Sequence, residues 1–96
     1  HPHTFTRTIA LKKEFGRSFK DSNLTIVLDI YPSAREVAGG IHSKDLVVEI
    51  RRSGSKAVYI PTIPEVAKYI KSHIPPGSLI LTIGAGDIWK LTKLLK

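Results

Sequence analysis

Three stretches of this chain carry polar and glycine residues that a purely structural turn does not require: His3 to Thr8, Asp29 to Glu36, and Gly84 to Asp87. Arg7 stands at the start of a segment with helical spacing, where a cation opposes the helix dipole. A guanidinium kept there suits the holding of a carboxylate or a phosphate, or is an ordinary surface charge. His3 reads either as a ligand or acid–base group or as a solvated side chain near a chain end. Gly84-Ala85-Gly86 joins an apolar run to a helix start, a geometry that presents backbone N–H groups to an anion. It is not a dinucleotide fingerprint, because Trp89 occupies the place of the third glycine, and it lacks the Lys-Ser/Thr of a P-loop. Asp87 would repel a phosphate at the helix start. The turn therefore borders a site, with Asp87 capping the helix or orienting a neighbour, or else touches a phosphate directly. Asp29, Arg35 and Glu36 could form an ion-pair cluster that orders the loop between them.

Other chemistries find no support. No pair of carboxylates is spaced for acid–base work, and no Ser-His-Asp set can be assigned. The histidines at 1, 3, 42 and 73 are scattered, which argues against a metal centre. With no cysteine there is no disulfide, thiolate ligand or thiol nucleophile. No apolar run approaches the roughly 20 residues that span a bilayer. The net charge of +7 invites a nucleic-acid partner. Yet Arg17, Lys20, Arg51, Arg52, Lys68, Lys71, Lys90, Lys93 and Lys96 fall mainly in the later turns of predicted helices, where cations complement the dipole. A small basic anion- or nucleic-acid-binding module stays as the alternative reading.

The elements that must position these stretches alternate in type. Ile9, Leu11, Phe15 and Phe19 predict an amphipathic helix from Thr6 to Phe19. Leu24 to Ile30 is a nearly unbroken β-branched run, suited to a strand buried on both faces. Tyr31 to His42 has no period and is expected to be a loop. Ser43 is a candidate cap for a second helix through Leu46, Val47 and Ile50, which Ser53-Gly54-Ser55 ends. Ala57 to Ile60 is a short strand. Thr62 and Pro64 open a third helix that stops before Pro75-Pro76-Gly77. Ser78 to Ile83 predicts a third buried strand, and a last helix runs from Asp87 through Leu95.

The order α-β-α-β-α-β-α implies an α/β fold: a three-layer, mainly parallel sheet with flanking helices, Rossmann-like or flavodoxin-like. In such a sheet ligands bind beyond the carboxyl ends of the strands, where the three stretches converge. The chain opens on a helix rather than a strand and has no methionine. Residues 1–96 are accordingly expected to form one domain that is a fragment of a larger one, lacking its first strands.

Taken together, Pro2-His3-Thr4-Phe5-Thr6-Arg7-Thr8, Asp29-Ile30-Tyr31-Pro32-Ser33-Ala34-Arg35-Glu36 and Leu81-Thr82-Ile83-Gly84-Ala85-Gly86-Asp87-Ile88 resemble three successive signatures of the alanine-adding muramate ligases, in the Mur ligase family. They stand in the family's order and run through nearly the whole chain. Thr4 departs from the arginine of many members, and Val37 to Gly40 from their proline-rich residues. The resemblance implies part of the C-terminal, Rossmann-like domain of a three-domain cytoplasmic enzyme of peptidoglycan synthesis. Such an enzyme uses ATP and Mg to phosphorylate the carboxylate of UDP-N-acetylmuramate, and the amine of L-alanine then attacks the acyl phosphate. It further implies that His3 and Arg7 line the closed cleft, that Asp29, Tyr31 and Arg35 border it, and that Gly84, Gly86 and Asp87 form a turn beside it. The Gly-Lys-Thr loop for ATP belongs to a central domain outside this sequence. The chain alone is thus expected to bind no cofactor and to be inactive. Its partners would be the N-terminal and central ligase domains, or a second copy through exposed sheet edges.

Overall fold

The computed structural model describes His1, Glu14 and residues 19–30, 42–84 and 86–95. Its centre is a parallel pair of strands, β1 (Thr25–Val27) and β2 (Ala57–Tyr59). Thr25 lies opposite Ala57, Ile26 opposite Val58 and Val27 opposite Tyr59. Backbone bonds reach past both ends of this register. Thr25 N–H donates to the Lys56 carbonyl at 3.0 Å, Ile60 N–H to Val27 at 3.0 Å and Asp29 N–H to Pro61 at 3.1 Å. Beyond Val27 and Tyr59 no further pair among the described residues is in register, and the regular ladder ends there.

Because side chains alternate across a strand, the pair has two apolar faces. Val27 and Ala57 pack with Leu46, Val47 and Ile50 of α1 (Ser43–Arg52). On the other face Leu28 packs with Val66, Ala67 and Ile70 of α2 (Ile63–His73), and with Ile88 and Leu91. Ile88 belongs to a 3-10 turn, Gly86–Trp89, and Leu91 to the short α3 (Lys90–Leu94). The β1–α1–β2 segment is thus a parallel strand–helix–strand unit with helices over both faces of its sheet.

Local chemistry sets the helix ends. The N-cap of α1 is His42, not Ser43: its Nδ1 accepts the Lys44 N–H at 3.0 Å, and Asp45 Oδ2 accepts the His42 N–H at 2.8 Å. Ser43 is fully buried one position further on, its hydroxyl donating to the Leu28 carbonyl, which ties α1 to the end of β1. Arg51 and Arg52 occupy the last turn, and Gly54 leaves it with φ of 91°. Thr62 Oγ1 caps α2, accepting the Glu65 N–H at 3.4 Å, with Pro64 in the first turn.

Two expectations need correction. Residues 78–83 are not a strand, and their apolar side chains are not buried: Leu79 is 95%, Leu81 78% and Ile83 58% exposed. A β-branched run makes a buried strand only when a neighbour supplies the ladder and helices cover both faces. Among the described residues the one ladder is between β1 and β2. The last helix likewise begins as the 3-10 turn, and α3 starts only at Lys90. The helix expected over residues 6–19 and the loop over 31–42 fall largely outside the described residues, although Glu14 is helical.

Candidate functional site at the carboxyl ends of the strands

Asp29 follows β1 on the face of Val27 and stands diagonally across from Tyr59 of β2. The Tyr59 hydroxyl donates to Asp29 Oδ1. His42 Nε2 lies 3.8 Å from the same oxygen and 3.5 Å from the Tyr59 hydroxyl. The imidazole meets the phenol ring edge-on, with centroids 4.9 Å apart and planes at 69°. Lys44 Nζ sits 5.5 Å from the Tyr59 ring centroid. The end of β1, the end of β2 and the first turn of α1 thus bring a carboxylate, a phenol, an imidazole and an ammonium together. Asp29 and His42 stay open, with side chains 54% and 52% exposed. The phenol of Tyr59 is pushed up to about 12, first by its hydrogen bond to Asp29, then by burial and by the charges of Asp29 and Glu65.

Gly84 and Asp87 lie toward the opposite face of the sheet. At φ of 150° Gly84 brings its backbone so close to His1 that a Cβ would stand 2.8 Å from the His1 carbonyl oxygen. The His1 ammonium donates to the Ile83 carbonyl at 3.1 Å, and burial there lowers its pKa. Gly86 opens the 3-10 turn. Asp87 does not cap α3, whose N-cap is Trp89 with no side-chain bond; it pairs instead with Lys90 Nζ at 3.5 Å. Beside this turn is an open cleft of about 450 Å³, with Leu28, Pro61, Ile63 and Pro64 among its apolar walls and Asp87, Lys90 and Lys93 among its charged groups. Lys90 and Lys93 also flank the face of Trp89, at 5.8 and 5.0 Å from its ring centre.

Of the residues singled out from sequence, Asp29, Gly84, Gly86 and Asp87 are described, while His3, Arg7, Tyr31 and Arg35 lie outside the described residues. Asp29 and Asp87 do not form one cluster, since they belong to opposite faces of the strand pair. His42, Tyr59 and Lys44 were not anticipated. Nothing in their spacing reveals them, because a parallel register across a long connection brings them to Asp29. Among the described residues no group of three His, Cys, Asp or Glu could hold a metal ion, and at the turn the Asp87 carboxylate is paired with Lys90.

No protein-family model matches the chain. Curated relatives do, along almost its whole length. A UDP-N-acetylmuramate–L-alanine ligase of Acetivibrio thermocellus is 42% identical over 93 residues, which is 97% of this chain and 20% of that protein. The ligase of the same name from Pelotomaculum thermopropionicum is 40% identical over 100 residues, 99% of this chain and 22% of that protein. That of Nostoc punctiforme is 37% identical over 87 residues, 91% of this chain and 18% of that protein. With these matches, the chain belongs to the Mur ligase family. The relatives within that family are UDP-N-acetylmuramate–L-alanine ligases, and the chain spans about a fifth of their length.

Proposed function

We propose that this chain is a segment of the C-terminal domain of an ATP-dependent, cytoplasmic ligase that joins L-alanine to UDP-N-acetylmuramate in peptidoglycan synthesis. The observation that carries this reading is the 42% identity over 97% of the chain. The parallel strand pair with helices on both faces supports placement in a three-layer, Rossmann-like domain. In the intact enzyme the stretches containing His3, Arg7, Asp29, Tyr31 and Arg35 border the reaction cleft, beside the turn of Gly84, Gly86 and Asp87. Arg7 offsets carboxylate or phosphoryl charge there. The N-terminal and central domains supply the ATP and Mg sites and the UDP-sugar site. The isolated segment does not turn over.

The test is phosphate release from ATP with UDP-N-acetylmuramate and L-alanine. A full-length ligase carrying this segment should release phosphate only when both substrates are present, and the 96-residue chain should release none. Turnover by the isolated chain would overturn the proposal, as would a full-length protein indifferent to L-alanine.

A further inference from the structure

We propose that Tyr59 and His42 are positioning residues for Asp29, fixing the direction in which its carboxylate faces the cleft; this rests on the reading of Asp29 as a cleft residue. An aspartate just beyond a strand end, with half its side chain in solvent, is ordinarily free to change rotamer. Here a chain of constraints removes that freedom. Asp45 holds the His42 backbone, and the Lys44 N–H holds His42 Nδ1 as an acceptor. In the neutral ring the proton therefore sits on Nε2, the nitrogen that faces Tyr59 and Asp29. The imidazole edge and the Lys44 ammonium bracket the Tyr59 ring, whose base is fixed in β2. The phenol spends its single proton on Asp29 and keeps its lone pairs toward His42 Nε2.

Packing does not call for this arrangement. A phenylalanine at 59 would fill the same space, and an exposed hydrogen bond of this kind adds little to stability. A structural role alone leaves the hydroxyl without a task; a positioning role uses it. Among the described residues, the charged or titratable groups facing the cluster include Asp29 itself, His42 and Lys44 from α1, and Glu65 from the start of α2.

Two measurements test the inference. In the 96-residue chain, absorbance titration of the tyrosines should show one phenol ionising near 12, lost in Tyr59→Phe and returned to the ordinary range in Asp29→Asn. A wild-type chain with no delayed phenol would overturn the contact. In a full-length ligase carrying the segment, Tyr59→Phe should lower kcat/KM by about tenfold while the protein stays folded at the assay temperature. It should add nothing to Asp29→Asn, as residues acting through one carboxylate require. His42→Asn retains a good N-cap but removes the ring edge, and should lower kcat/KM in the same direction. If Asp29→Asn impairs the enzyme while Tyr59→Phe and His42→Asn do not, the positioning role is wrong and the cleft reading survives. If Asp29→Asn has no effect, the cleft reading of Asp29 falls, and the positioning role with it.

Discussion

At the scale of single residues, the Tyr59–Asp29 contact ties stability to alkaline pH. The folded phenol ionises near 12 rather than 10, so the folded state keeps a proton that the unfolded state has released. The contribution is fully present below about pH 10 and is lost as the pH climbs toward about 12. Thermal melts across that window should therefore show a decline that Asp29→Asn makes shallower. Gly84 makes a second prediction. Its φ of 150° is one that side chains rarely adopt, and a Cβ would meet the His1 carbonyl oxygen at 2.8 Å. Gly84→Ala should cost about 1–3 kcal/mol in denaturant melts, whereas Gly86→Ala serves as the comparison within the same turn. A tolerated Gly84→Ala would mean that the approach of His1 is easily relaxed.

At the scale of elements, what could be read from sequence was what local chemistry decides. Ser53-Gly54-Ser55 stops α1 because Gly54 accepts a positive φ, and Thr62 with Pro64 starts α2 because one accepts an orphan N–H and the other lacks its own. Thr62→Ala should accordingly lower stability by about 1 kcal/mol, read from the midpoint of a urea melt. Ile50→Ala, at a side chain only 1% exposed, should cost about 2–5 kcal/mol in the same measurement. Choices made by tertiary packing were less accessible. Ser43 has the composition of a cap, but the pull of the Leu28 carbonyl buries it and leaves capping to His42. Ser78 to Ile83 has the composition of a core strand, but composition supplies no ladder partner. Asp29 was singled out from its motif; Tyr59 and His42 were not, because only the β1–β2 register and the docking of α1 bring them to it.

At the scale of the whole molecule, the apolar side chains of Leu79, Leu81 and Ile83 dominate one exposed segment. Such a run is a template for pairing with another chain. Light scattering across a wide concentration range should show the purified chain self-associating, and Leu79→Lys with Leu81→Lys should suppress it; a strict monomer throughout would show that the segment finds cover within the chain. Salt-dependent binding to duplex DNA would instead favour the basic-module reading. The parallel pairing of β1 with β2 has a consequence for the order of events when the chain first folds. Neither strand gains a ladder bond until the entire connection between them, α1 included, has closed into a loop, so the entropy of that closure is spent before any sheet contact returns it. The most economical nucleus is α1 collapsing onto Val27 and Ala57 together, with Ser43 latching to Leu28 as the strands meet. The candidate cluster of Asp29, His42 and Tyr59 depends on the same register and the same docking of α1, so it can exist only once that connection has closed.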